Sequence, residues 1–198
     1  MGVVVVQLGV GNVASMMFAL ERAGARPLLT ADPHAIAEAD RLVLPGVGAA
    51  AFAMDRIEAL KLTAVLKSFP RPFLGVCLGQ QLLYTSSEEG DADCLGFIPG
   101  RVERMSAAPD RPVPHMGWNR LRVERDDPLL DGVDDGAYAY FVHSFACPVG
   151  EATLATSEYG GRFTAVVRRD NVWGCQFHPE RSAQAGAKIL ANFLSVEC

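Results

Sequence analysis

Four short apolar runs, each followed by a stretch with helical spacing, fill the chain from Val3 to about Tyr84. No other feature constrains the fold as strongly. A β-α-β-α order brings successive strands together in parallel, with the crossover helices on the sheet faces. Val3–Val6 is apolar and β-branched throughout, the pattern of a strand covered on both sides. Asn12 reads as the cap of a helix whose Val13, Met16, Met17 and Leu20 recur at helical spacing, with Gly24 as its stop. Pro27–Leu29 is expected as the second strand, and Asp32-Pro33 as cap and first turn of a short helix. Arg41–Leu44 is the third strand and Pro72–Val76 the fourth. Helices are expected over about Ala50–Phe69 and over Leu78–Tyr84.

Past that point the pattern changes. Strand candidates at Gly96–Met105, Arg120–Glu124, Tyr138–Phe145, Thr153–Ser157, Phe163–Val167 and Trp173–Phe177 are separated by turns, with Arg169-Asp170-Asn171 as a hairpin turn. A last helix runs from Ser182 to Leu194, offering Ala185, Ile189, Ala191, Phe193 and Leu194 for burial. The expected fold is α/β: a mixed, mostly parallel central sheet flanked by helices, the same sheet carrying an antiparallel extension in the second half. With 198 residues and 49% hydrophobic content, the chain is expected to form one domain over 1–198 without disulfides or metal.

Charge and cysteine usage remove several classes of function. The net charge is −5, from 23 acids and 18 bases. There is no basic stripe, so no nucleic-acid footprint is expected. Five cysteines at 77, 94, 147, 175 and 198 make an odd set without a CxxC pair, unlike a disulfide framework or a zinc site. A reducing, cytoplasmic setting fits better. No cationic segment precedes Val3–Val6. That run is too short to span a bilayer, so neither signal peptide nor membrane contact is expected. No cofactor motif beyond the decoy described below is found.

Gly75-Val76-Cys77-Leu78-Gly79 sits where a buried strand ends and a helix begins. It has the spacing of a nucleophile elbow in which Cys replaces Ser. A sharp turn there strains the nucleophile's backbone, and glycines two residues to either side remove side chains that would clash. The helix start favours a thiolate, and the Leu78 N–H is expected to point at a developing oxyanion. On this pentapeptide alone, a buried packing cysteine fits equally well. His178 follows the last strand candidate in Gln176-Phe177-His178-Pro179-Glu180. An imidazole can take the thiol proton and return it to a leaving amine, and it needs a partner to fix its tautomer. An extended backbone stiffened by Pro179 would put Glu180 on the same side as His178. Of the other histidines, His34 follows a helix-starting proline, and His115 and His143 lack an acid two residues on. An elbow cysteine together with a strand-end His-Pro-Glu points to cysteine-nucleophile catalysis by Cys77, His178 and Glu180. Pro45-Gly46-Val47-Gly48 follows the third strand at the same sheet edge; taken alone it reads as an ordinary glycine-rich turn, and beside Cys77 it would let Val47 supply a second oxyanion donor.

One motif competes. Gly9-Val10-Gly11-Asn12-Val13-Ala14 matches a dinucleotide-binding turn, and Asp32 lies about where a ribose-binding acid belongs. That reading leaves Cys77 and His178 without a purpose.

Assembled, these motifs resemble the class I glutamine amidotransferase family over nearly the whole chain. The resemblance rests on Leu44–Gly48, Gly75–Gly79 with Gln81, and Phe177–Glu180. Gly11-Asn12 with Ser15, Pro114–Asn119, Tyr140–Ser144 and Gln176–Ser182 resemble more closely the glutaminase subunits of imidazole glycerol phosphate synthases in histidine biosynthesis. The resemblance implies a flavodoxin-like fold and hydrolysis of glutamine to glutamate and ammonia through a thioester. It implies delivery of the ammonia to a (β/α)8-barrel cyclase subunit that makes imidazole glycerol phosphate and aminoimidazole carboxamide ribotide. By the same resemblance Gly46, Gly48, Gln81, His143, Ser144 and Phe145 hold the glutamine, while Asn12, Met116, Trp118 and Asn119 face the partner. Trp118, read as part of an exposed Gly-Trp-Asn loop, would anchor that partner. Gln7, Gln80 and Phe145 depart from the family's usual Asp, Met and Tyr.

Overall fold

A computed structural model describes residues 2–9 and 13–197. The expected Asn12 cap, its place at the partner face, and half of the Gly9–Ala14 motif (positions 10–12) lie outside the described residues.

Strand β1 (Gly2–Val6) shows why a β-branched run makes a central strand: Val3 and Val5 enter the core on one sheet face, Val4 and Val6 the core on the other. Helix α1 (Val13–Arg22) lays Met16 and Leu20 on the first face. Strand β2 (Arg26–Thr30) pairs with β1, and α2 (Pro33–Glu38) starts at Asp32, whose side chain accepts from the His34 N–H at 3.0 Å. Asp32 therefore serves as a helix cap.

Strand β3 (Arg41–Gly46) is followed by α3 (Ala50–Ala59) and α4 (Thr63–Lys67). The single helix expected over 50–69 is thus two, broken at Lys61, whose φ of 57° no α-helix accommodates. Strand β4 (Phe73–Cys77) runs directly into α5 (Leu78–Gln81). The helix expected to reach Tyr84 stops after one turn, because Tyr84 already pairs with Ile98 in the strand β5 (Tyr84–Ser87).

The second half holds β6 (Ala92–Asp93), β7 (Ile98–Arg104), β8 (His115–Arg120), β9 (Arg122–Val123), β10 (Tyr138–His143), β11 (Phe145–Ala146), β12 (Thr153–Glu158), β13 (Arg162–Arg169), β14 (Val172–Cys175) and the closing helix α6 (Ala183–Ser195). The main sheet has eight strands in the order β2-β1-β3-β4-β14-β13-β12-β9. Its first five are parallel, and β13, β12 and β9 extend it antiparallel. The β13–β14 hairpin turns at Asp170, as its sequence signals. The expectation that all later strands extend one sheet holds only in part. The β10-β8 ribbon and the β11-β7-β5-β6 sheet are separate.

One core face carries α1, α6 and the ribbon, and the other α2 to α5 with the small sheet. Ile189, Phe193 and Leu194 of α6 are buried, whereas Ala191 is exposed on the opposite side of the helix. The buried Arg41 guanidinium donates to the Phe193 and Val196 carbonyls at 2.9 and 2.5 Å. It thereby satisfies acceptors that the end of α6 leaves free.

Candidate active site

Strands β4 and β14 are parallel neighbours, with Val76 opposite Cys175. The residues just past their carboxyl ends therefore converge at one rim of the sheet. Cys77 ends β4 with φ 55° and ψ -110°. L-residues rarely adopt that conformation. The elbow glycines are required by space. A Cβ on Gly75 would stand 2.5 Å from the Gly79 carbonyl oxygen, and one on Gly79 would stand 1.8 Å from that of Leu44. Both contacts lie far inside van der Waals range, so only glycines let α5 turn back onto β3 and β4 tightly enough to hold the sulfur at the rim.

His178 follows β14 and takes its place through the backbone: its N–H donates to the Tyr140 carbonyl at 2.9 Å, and its own carbonyl accepts from Ser182 Oγ at 2.7 Å. Ser182, fully buried, also accepts from the Tyr140 N–H at 2.9 Å. The ring lies beside Cys77 and is held by Glu180. Nδ1 lies 2.9 Å from Glu180 Oε1, which leaves Nε2 for the sulfur. Burial disfavours the charged ring, but the neighbouring Cys77 and the Glu180 carboxylate outweigh it and push His178 up to about 10. The Cys77 sulfur also lies 3.7 Å from the Val142 carbonyl and accepts from Gln176 Nε2 at 3.9 Å.

The His178–Glu180 pairing is not made on extended backbone as expected. Pro179–Arg181 is a 3-10 turn, and it is this turn that folds the carboxylate back onto the ring. The Glu180 side chain is 7% exposed, and its second oxygen has no hydrogen-bond partner among the described residues. A carboxylate so placed is costly unless its neighbour is cationic, which agrees with the raised His178.

A cavity of about 200 Å³ opens beside these groups, lined among others by Met16, Pro45, Val47, Val142, His178 and Glu180. Gly46 and Val47 thus reach the site, and the Val47 N–H has no backbone acceptor among the described hydrogen bonds. The Leu78 N–H belongs to the first turn of α5, where the helix offers no acceptor. Gly48 continues the loop with φ 97°. Gln81, His143, Ser144 and Phe145 do not line this cavity: Gln81 Nε2 donates to the Phe145 carbonyl at 2.9 Å and to Gln176 Oε1 at 3.1 Å, and Gln176 in turn contacts the Cys77 sulfur. His143 is buried, and both of its ring nitrogens are engaged, by His115 and by the Phe145 carbonyl.

Pro114–Asn119 proves to be mostly strand, not loop. Along β8, Met116 and Trp118 are 63% and 51% exposed. His115 and Asn119 point to the opposite face, and Asn119 Nδ2 donates inward to the Glu158 carbonyl at 2.8 Å. Of the residues expected at a partner face, Met116 and Trp118 are thus presented outward, whereas strand alternation turns Asn119 in. Trp118 packs edge-on against Tyr140, which itself lines the cavity.

The sequence did not single out Gln176, Ser182 or Gly186 as site residues. Gln176, a polar residue between buried Cys175 and Phe177, carried the one available signal. Gly186 matters because a Cβ there would stand 1.9 Å from the Pro179 carbonyl oxygen. It lets α6 lie against the turn that carries Glu180.

The family model for class I glutamine amidotransferases matches residues 21–196. The chain is 49% identical over 195 residues, 98% of each chain, to a Xylella fastidiosa protein named imidazole glycerol phosphate synthase subunit HisH. It is 48% identical over 196 residues to the like-named protein of Idiomarina loihiensis, covering 99% of this chain and 98% of that one. Among solved structures, a chain of PurLQS from Thermotoga maritima superposes with a TM-score of 0.74 at 20% identity, over 98% of this chain and 97% of the other. That likeness is one of fold.

Proposed function

The chain belongs to the class I glutamine amidotransferase family, and from that premise we infer that it hydrolyses glutamine to glutamate and ammonia as the glutaminase subunit of an imidazole glycerol phosphate synthase. The observation that carries the chemistry is the strained Cys77 facing His178, whose far nitrogen is held by Glu180.

In this reading the Cys77 proton passes to His178, and the sulfur attacks the carboxamide carbon of glutamine. The carbonyl electron pair moves onto oxygen, toward the N–H groups of Val47 and Leu78, each donor being worth about 3 kcal/mol. His178 Nε2 protonates the amide nitrogen, the C–N bond breaks, and ammonia leaves a thioester on Cys77. Water then adds to the thioester with His178 as base, the C–S bond breaks, and glutamate departs. Glu180 fixes the tautomer and supports the imidazolium in both halves. Gly46, Gly48, Gln81 and the backbone of His143, Ser144 and Phe145 hold the glutamine.

Ammonia released into water would be protonated and lost as a nucleophile, so delivery to a docked partner is needed. We assign that role to a (β/α)8-barrel cyclase subunit in the cytoplasm, seated on Met116 and Trp118. Support comes from two large apolar side chains exposed on one strand face, one of them packed on the Tyr140 that borders the cavity.

Glutamate release, measured with and without the purified cyclase, tests this reading. Cys77→Ala is expected to abolish release while the protein stays folded, and the unmodified protein is expected to be slow alone and stimulated by cyclase and its ligand. Undiminished release by the variant would refute the catalytic assignment. Equal rates with and without cyclase would refute the gating.

A further inference from the structure

The imidazoles of His115 and His143 take no part in the mechanism above, yet both residues are buried, 3% and 5% exposed, and their rings form a continuous chain. Asn119 Nδ2 lies 3.4 Å from His115 Nε2, His115 Nδ1 lies 3.0 Å from His143 Nε2, and His143 Nδ1 lies 2.8 Å from the Phe145 carbonyl oxygen.

The ends of the chain settle where its protons sit. A carbonyl oxygen only accepts, so His143 Nδ1 donates to Phe145. At the other end, Asn119 Oδ1 accepts from the Arg120 N–H at 2.8 Å while Nδ2 donates to the Glu158 carbonyl at 2.8 Å, so this amide cannot be flipped. Asn119 therefore offers His115 Nε2 a donor. His115 Nδ1 must then carry the proton that points at His143 Nε2. Each ring holds one proton, on Nδ1, and both are neutral. A charged ring would set donor against donor at one of the links. Burial agrees, pushing each imidazole down to about 4. His115 is also stacked between Phe141 and Tyr159, with centroids 5.1 and 4.1 Å away, which fixes the plane of its ring.

The chain ends on an atom that also holds Gln81, the residue assigned above to binding glutamine. The Phe145 carbonyl receives His143 and also Gln81 Nε2, whose other hydrogen goes to Gln176 Oε1. Both N–H donors of Gln81 are therefore committed, and its Oε1 is left as an acceptor. Glutamine carries N–H donors in its ammonium and its carboxamide, and glutamate has only the first.

We propose that His115 and His143 are positioning residues for glutamine binding: together they fix the Phe145 carbonyl, through it the Gln81 carboxamide, and so the acceptor that Gln81 presents to the substrate. The proposal rests on the glutaminase reading of the site. It gives both histidines a duty in KM and none in the bond-making steps.

Two substitutions at position 143 separate this from a packing role. Asn places an amide nitrogen near the site of Nδ1 and keeps the donor to Phe145, whereas Gln reaches the site of Nε2 and leaves Phe145 one donor short. Steady-state kinetics on the assembled complex with cyclase should show His143→Gln raising the glutamine KM about tenfold more than His143→Asn does. His115→Gln, which breaks the link to His143, should behave like His143→Gln, and His115→Asn, which keeps a donor near Nδ1, should not. Equal KM values for the Gln and Asn variants, or a loss confined to kcat, would overturn the positioning role while leaving the glutaminase reading intact. A wild-type complex that releases no glutamate would overturn the glutaminase reading itself.

Discussion

His178 Nδ1 stands 2.9 Å from Glu180 Oε1 across a 3-10 turn that starts at Pro179, between the two residues. Together with Cys77, the pairing sets the charge of the imidazole. Burial alone would discharge the ring, but Cys77 and Glu180 raise it from 6.5 to about 10. A group raised on folding stabilises the folded state in full below its unfolded value. For His178 that value is 6.5, and the contribution is lost as pH climbs through about 10. Glu180→Gln removes one of the two supports. Its stability deficit against wild type should be largest near pH 6 and shrink toward about pH 10, read from denaturant midpoints. The His178 titration followed by NMR should move down in the variant. A deficit that does not vary across that range would contradict the charged-ring account.

Gly186→Ala should destabilise the protein by about 1–3 kcal/mol. The added methyl meets the Pro179 carbonyl, and the turn or the helix must shift. Glutamate release should fall with it, since the same turn carries Glu180. Gly150→Ala is the control, because a Cβ there meets nothing within 4 Å among the described residues. Its stability should lie within about 0.5 kcal/mol of wild type. Urea denaturation of both variants checks the pair.

Trp118→Ala should leave folding stability little changed while weakening cyclase binding by about 2 kcal/mol, roughly thirtyfold, if this side chain anchors the partner. Titration calorimetry with purified cyclase measures it. Unaltered affinity would move the docking surface elsewhere.

The parts legible in the sequence were those whose meaning is local. The Gly-x-Cys-x-Gly elbow, the His-Pro-Glu run and the Asp32 cap are each complete within a few residues, and the buried valines of β1 announce a strand covered on both faces. Strand β8 was hidden because its alternation is inverted: His115 and Asn119 face inward and are satisfied by hydrogen bonds, while Met116 and Trp118 face out. A period-two pattern of apolar side chains cannot reveal a strand that buries its polar ones. The break at Lys61 has neither Gly nor Pro to mark it, and α5 is cut short by a pairing between Tyr84 and Ile98 that no local signal encodes. The need for Gly186 arises from the Pro179 carbonyl, which belongs to a different element.

The mechanism requires that one sulfur, at Cys77, does the chemistry. Cys94, Cys147 and Cys175 are also free and buried, so chemical selectivity discriminates sharply among them. The assembled complex would be treated with a glutamine-analogue electrophile, then digested and examined by peptide mass spectrometry alongside the glutaminase assay. A single adduct on Cys77 is predicted, blocked by excess glutamine, with glutamate release lost in proportion to labelling. Full labelling of another cysteine, with Cys77 unmodified and release abolished, would contradict the assignment.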